Sequence, residues 1–324
     1  MDYLLLILGL GILLLAANYL VDSSVAIAQR AKISNFIIGL TIVGIGTSAP
    51  ELFVSVSSAL KDSGDIAMGN VIGSNIANIF LILGVTAMIL PFSIERLQRV
   101  RDIPFLILAT LFVSLIASDS IVPGIDKNTL SRLDGIVLLL LFLCYMCYVI
   151  VQKGKDPKKA LEDADEEASS SLTGKNPWLL WVIAVVSLVA LIYGGNMFLD
   201  SAKNLARAWG MSEAVIAITI VAVGTSLPEL VTAVIAATKK NPQLALGNVI
   251  GSNLFNLMFI LGSASTVKPL TLVDINLWDY VVMFVAAIML FVVVYTFKKN
   301  KFDRIEGVIF FAAYIGYTVY LLMR

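Results

Sequence analysis

Apolar residues run along this chain in long continuous blocks, and polar positions are gathered into short intervals between them. A hydrocarbon layer about 30 Å thick is crossed by about 20 apolar residues in helical form. Ten blocks meet or approach that length: 3–27, 36–60, 66–90, 102–118, 134–152, 178–205, 214–238, 243–267, 278–297 and 305–322. They are unbroken rather than alternating, which predicts helices and not the strands of a barrel. The pattern predicts an all-α polytopic membrane protein with ten transmembrane helices. The first block does not read as a signal peptide, because no Lys or Arg precedes it and the first basic residue is Arg30.

The intervals carry the orientation. Those after the first, third, fifth, seventh and ninth blocks hold 16 of the 23 Lys and Arg residues, including Arg30, Lys32, Arg96, Arg99, Arg101, Lys239, Lys240 and Arg304. Basic intervals stay in the cytosol, so both termini are expected outside. The one long polar interval, 153–177, mixes lysines with Asp and Glu, followed by Ser169 to Ser171. It lacks the Gly-containing spacing of an EF-hand and reads as a solvated cytosolic linker.

Self-comparison shows a gapless repeat at an offset of 178. Gly46-Thr47-Ser48-Ala49-Pro50-Glu51-Leu52 returns as Gly224-Thr225-Ser226-Leu227-Pro228-Glu229-Leu230, with six of seven positions identical. Gly69 to Asn75 returns unchanged as Gly247 to Asn253; Asn78 returns as Asn256, Asn18 as Asn196 and Asp22 as Asp200. Each unit, 1–152 and 178–324, holds five helices. Five is odd, so the second copy enters the membrane from the opposite side, as in the inverted repeats of secondary transporters.

Composition sharpens this picture. The chain is 59% apolar and 14% charged, against roughly 25% charged for an ordinary soluble domain. Lys+Arg and Asp+Glu balance at 23 each, leaving no basic surplus for nucleic acid. Histidine is absent, which excludes every Ser-His or Cys-His catalytic device, so an enzyme is not expected. Cys144 and Cys147 fall inside an apolar block and read as small packing residues. Asp22 and Asp200, near block ends, suit either interfacial anchoring or a gate. Trp178, Trp181 and Trp278 read as membrane-interface residues.

The repeated motifs carry the chemistry. Pro50 and Pro228 each remove a backbone donor and crowd the preceding turn, which is expected to free carbonyls near Thr47 and Thr225, and near Gly44 and Ala222 one turn earlier. Thr47 and Glu51 share a helix face at i,i+4, as do Thr225 and Glu229, Ser74 and Asn78, and Ser252 and Asn256. These are hard oxygen donors without sulfur or imidazole, suited to Ca2+ and Na+. The blocks that bear them contain no Lys or Arg. A charge at the bilayer centre costs ~2.5–3.5 kcal/mol on the most lenient scale, so the two glutamates imply a mobile cation or protons as partner, ahead of a structural role.

With its paired G-T-S-x-P-E and G-S-N-x-x-N motifs, the chain resembles the Ca2+/cation antiporter superfamily, and within it the prokaryotic sodium/calcium exchangers, over essentially its whole length. The resemblance implies ten helices in two inverted halves, with the first and sixth sliding to alternate access. It implies cation ligands at Thr47, Ser48, Glu51, Ser74 and Asn78 with the Gly44 carbonyl, and at Thr225, Ser226, Glu229, Ser252 and Asn256 with the Ala222 carbonyl. Many of these exchangers carry Asp where this chain has Asn256, so the pocket here offers two carboxylates rather than three. The proton-coupled branch typically shows G-N-x-x-E, whereas Thr-Ser stands here, which favours Na+ coupling. The expectation is an antiporter exporting Ca2+ against Na+ across the cell membrane, without an organic cofactor; Ca2+/H+ exchange is the alternative within the class, with H+ or K+ as possible further ions, and a passive cation channel stands outside it.

Overall fold

In a medium that offers no hydrogen bonds, the chain satisfies its backbone internally, and helix accounts for most of the computed structural model. It describes residues 1–118, 128–152, 170–211, 222–296 and 300–323. The helices are α1 (Asp2–Ala31), α2 (Asn35–Thr47), α3 (Ala49–Leu60), α4 (Gly64–Ile89), α5 (Ile103–Ile116), α6 (Arg132–Gln152), α7 (Pro177–Ala208), α8 (Ala222–Thr225), α9 (Leu227–Thr238), α10 (Pro242–Val267), α11 (Leu277–Val293) and α12 (Arg304–Met323).

Among the described residues, six helices are long and apolar enough to cross a membrane: α1, α4, α6, α7, α10 and α12. The pair α2 and α3, bent by 45° at Ser48, makes a seventh. The runs at 102–118 and 278–297 become shorter helices, α5 with 14 residues and α11 with 17. At 1.5 Å per residue, α5 alone reaches only about 21 Å, and a π-helical turn, Gln98–Asp102, leads into it. Of the predicted run 214–238, residues 214–221 lie outside the described residues, as do 153–169 of the linker.

Local chemistry sets the boundaries. Helix α1 stops at Lys32, which adopts the left-handed conformation (φ 52°), and the Ser34 hydroxyl accepts the Ile37 N–H to start α2. Asn176 caps α7 through the Trp178 N–H, and Asn276 with Asp279 closes a capping box on α11. Mid-helix π turns interrupt α2 (Gly39–Val43), α4 (Ala77–Leu83) and α10 (Phe255–Ile260). Those of α4 and α10 begin at equivalent positions of the repeat, and such bulges concentrate at functional sites.

Helices α4 and α10 are almost wholly enclosed, whereas α1, α6, α7 and α12 expose most of their surface. That outer surface is apolar, with Leu108, Leu140, Val186 and Val308 exposed, as lipid requires. Cys144 and Cys147 lie on this outer face of α6 rather than in the interior. Trp178 and Trp278 stand exposed at the first turns of α7 and α11.

Two close approaches position the centre. Helices α1 and α7 touch where Gly9 and Gly194 leave no room for a Cβ against each other's backbone. Helices α2 and α10 meet in the same way: a Cβ on Gly247 or Gly251 would collide with the carbonyls of Phe36 or Leu40. The periphery is tied by two short antiparallel strand pairs. β1 (Phe92–Ser93) pairs with β4 (Lys301–Phe302), setting Phe92 opposite Phe302; β2 (Asn128–Leu130) pairs with β3 (Leu270–Leu272), setting Asn128 opposite Leu272. Each pair joins the first half of the chain to the second.

Candidate cation site

The site begins with a local conflict. Ser48-Ala49-Pro50-Glu51 spells a capping box, a serine followed three residues later by glutamate. Ser48 does leave helical geometry (φ −83°, ψ 12°) and α3 starts behind it with Pro50 in its first turn. Yet the Ser48 side chain caps nothing locally; it donates a 2.9 Å hydrogen bond to Oε1 of Glu229 in the other half of the chain. The second repeat breaks in the same way, with Ser226 at φ −90°, ψ 11° and Pro228 in the first turn of α9. Glu51 and Glu229 thus each stand in the first turn of a helix, where the positive end of the backbone dipole favours a carboxylate.

Hydrogen bonds across the halves draw the predicted residues together. The Thr47 hydroxyl donates to Oδ1 of Asn248 at 3.2 Å, and the Ser252 hydroxyl donates to the Gly44 carbonyl at 3.1 Å. That carbonyl is therefore not left free by the proline break: it also accepts the Ser48 N–H at 3.3 Å and a 3.5 Å contact from the Thr47 hydroxyl. Asn78 donates through Nδ2 to Oδ1 of Asn253 at 2.9 Å. Thr47, Ser48, Glu51, Ser74, Asn78, Ser226, Glu229, Ser252 and Asn256 are all buried. Thr225 is only half-buried, and Ala222 opens the four-residue α8.

Three residues outside the expected set emerge. Asn70 donates to the Glu51 carbonyl (3.3 Å) and to the Ser55 hydroxyl (3.0 Å), bracing the first turns of α3 against α4. Asn248 and Asn253 accept the bonds from Thr47 and Asn78. All three lie in the heptapeptide that recurs unchanged between the repeats, which was the available signal.

The site's unmet hydrogen-bonding capacity among the described residues is mostly oxygen, with Nδ2 of Asn248 and Nδ2 of Asn253 the unpartnered amide donors. Both carboxylate oxygens of Glu51, Oε2 of Glu229, Oδ1 of Asn78, Oδ1 of Asn256 and Oγ of Ser226 are buried with no hydrogen-bond partner among the described residues. These are six oxygens, and a buried acceptor without a partner costs ~1–3 kcal/mol, more when charged. No Lys or Arg stands on α2, α3, α4, α9 or α10, and the described ion pairs, such as Arg101–Asp102 and Lys268–Asp62, do not involve either glutamate. Among the described residues no three or more Asp, Glu, His or Cys side chains are grouped so as to hold a metal ion together, so the pocket's charge rests on two carboxylates. Its remaining donors are hydroxyl, amide and carbonyl oxygens, a set suited to hard cations.

The family model for the sodium/calcium exchanger protein matches residues 1–151 and 179–323. The chain belongs to this family. A putative antiporter, CaxA of Alkalimonas amylolytica, is 36% identical over 98% of this chain and 97% of its own length. The sodium/calcium exchanger MaX1 of Methanosarcina acetivorans is 31% identical over 99% of this chain and 98% of its own. Among solved structures, the sodium-calcium exchanger NCX_Mj soaked with Na+ and Sr2+ superposes with a TM-score of 0.81 at 31% identity, covering 98% of this chain and 97% of that one. The exchanger family accounts for both halves of the chain and leaves out 152–178, which contains the whole linker between them. It makes this a multi-pass membrane transporter.

Proposed function

We propose that the protein is a secondary antiporter that exchanges Ca2+ for Na+, exporting Ca2+ from the cytosol. The observation that carries this reading is the set of buried, unpartnered oxygens around Glu51 and Glu229 with no basic side chain nearby. Its two carboxylates neutralise one Ca2+; the same oxygens take Na+ ions in turn, so the two cargoes compete for one constellation. Gly44, Thr47, Ser48, Glu51, Ser74 and Asn78 act with Ala222, Thr225, Ser226, Glu229, Ser252 and Asn256. The kinship with MaX1 and NCX_Mj, both named as sodium/calcium exchangers, supports Na+ as the coupling ion.

The architecture in this reading is ten spans in two inverted five-helix halves, with both termini outside and 153–177 in the cytosol. Crossing with an empty pocket would carry two unneutralised carboxylates through the membrane, at ~2.5–3.5 kcal/mol or more for each. Ion occupancy therefore licenses the change of access, and obligatory exchange follows.

Proteoliposomes loaded with Na+ are expected to take up external Ca2+, whereas K+-loaded ones are not. Equal uptake in both, abolished by collapsing a pH gradient, would instead establish a proton-coupled exchanger; uptake with no counter-ion requirement would establish a channel.

Asn256 supplies a second test. Asn256→Asp gives the pocket one charge more than a single Ca2+ neutralises, and a proton is the readiest extra partner. The variant is expected to exchange still, with Ca2+ uptake more strongly inhibited by acid than in the parent. Superimposable pH–rate curves would remove Asn256 from the site, and Asn78 with it by symmetry.

A further inference from the structure

The repeat relates more than the cation motifs. Its offset of 178 also equates Lys61 with Lys239, alongside Asn18 with Asn196 and Asp22 with Asp200. One member of each of these three pairs comes together in the structure. Lys239 Nζ lies 2.6 Å from Asp22 Oδ1 and donates to the Asn18 carbonyl at 3.1 Å, joining α1 of the first half to the end of α9 in the second. The pair is well shielded, with side-chain exposures of 11% for Asp22 and 24% for Lys239. The other Asp22 carboxylate oxygen accepts the Ser171 hydroxyl at 2.8 Å, and Ser170 donates to the Asp22 carbonyl.

The mirror-image cluster is not assembled. Among the described residues Asp200 pairs with Lys203, one turn along its own helix at 3.3 Å, and its side chain is 72% exposed. Lys61 is exposed and joins no ion pair among the described residues. The Asp and the Lys are thus each present twice in sequence, but only Asp22 and Lys239 are paired with each other in space. A surface pair such as Asp200–Lys203 contributes little to stability, so the second set has no evident role in this conformation.

We infer that Asn18–Asp22–Lys239 and Asn196–Asp200–Lys61 are alternating latches, one closed in each access state. The inference rests on the inverted-repeat antiporter reading, because interchange of the two halves' conformations is what carries the closed arrangement to the other end of the molecule. The latch observed here holds the cytosolic end of α1 against α9. Lys239 directly follows α9, ten residues beyond Glu229, or about 15 Å along the axis. The same helix therefore carries a cation carboxylate at one end and the latch at the other, so displacement of α9 bears on both. In the opposite state Asp200 releases Lys203 and takes Lys61, at the end of α3, the helix of Glu51, while Asp22 and Lys239 separate.

The test uses opposite signs. Lys61→Met and Asp200→Asn alter side chains exposed in this structure and are expected to fold normally. Each removes the latch of the cytosol-open state, so half-saturating Ca2+ on the cytosolic side is expected to rise about fivefold. Asp22→Asn is expected to lower it by a similar factor, since it releases the latch seen here. A second measurement reads the geometry itself. In a Cys144→Ser/Cys147→Ser background, Lys61→Cys/Asp200→Cys is treated with a short bifunctional maleimide in Na+ and in Ca2+. Crosslinked product is expected in at least one ion condition, although this structure keeps the pair apart. Unchanged affinities in Lys61→Met and Asp200→Asn, or no crosslinking in any ion condition, would overturn the latch. Crosslinking is scored on gels whichever ions the parent exchanges, so failure of Na+/Ca2+ exchange in the parent would count against the proposed function alone.

Discussion

Glu51→Gln and Glu229→Gln are each expected to reduce Na+-dependent Ca2+ uptake about 100-fold, corresponding to ~2.7 kcal/mol, while leaving a folded protein in the membrane. The amide is nearly isosteric with the carboxylate, so packing around positions 51 and 229 changes little. What changes is charge: one negative charge remains against a divalent ion, in a region without Lys or Arg to rebalance it. Ser48 can still donate to the amide oxygen at position 229, which protects the contact between the halves. The comparison is uptake per folded molecule, with folding read from a monodisperse elution profile and thermal unfolding in detergent. Parental flux from either variant would displace the cation pocket from these residues.

Gly251→Val should have the largest effect on folding. A Cβ at this position collides with the backbone of Leu40, and backbone cannot rotate aside as a side chain can. Overpacking of a core typically costs ~1–3 kcal/mol, and a collision with main chain lies at or beyond the upper end. The variant is expected to lose most of its folded yield and to unfold well below the parent. Gly11→Val is the control: Gly11 is exposed on α1 with no atom near its would-be Cβ, and its effect should stay within ~0.5 kcal/mol. Equal behaviour of the two variants would mean that the α2–α10 contact is dispensable.

Much of this architecture is legible in the amino-acid sequence because lipid permits so few solutions. Long apolar runs must be helices, and α1, α4, α6, α7, α10 and α12 answer to runs read from hydropathy alone. The repeat picks out Glu51 and Glu229 because polar identity preserved within an apolar block needs a reason. Hydropathy cannot tell where a helix starts inside a run, so α5 and α11 are shorter than their blocks, and the approach to α5 turns into π-helix. Spacing rules relate only neighbours on one helix. They place Thr47 beside Glu51, but not Ser48 against Glu229, nor Asn253 against Asn78. The proline argument located the break correctly and still misjudged the Gly44 carbonyl, because the hydroxyl that reaches it comes from Ser252, on a helix 208 residues away. The paired strands escape any local reading for the same reason.

Those strands, and the Ser48–Glu229 bond, also impose a schedule on the newborn chain. Glu51 and Glu229 are separated by 178 residues, and Phe92 finds its partner only when Phe302 has been made. At a translation rate of roughly 5–20 residues per second, the first half waits about 10–35 s before its counterpart leaves the ribosome. During that interval a glutamate and a row of amides stand in the bilayer without the partners that later enclose them. The insertion machinery, or neighbouring lipid headgroups drawn inward with water, must shelter them meanwhile. Biogenesis, more than the finished transporter, is where the cost of dividing one pocket between two distant segments falls.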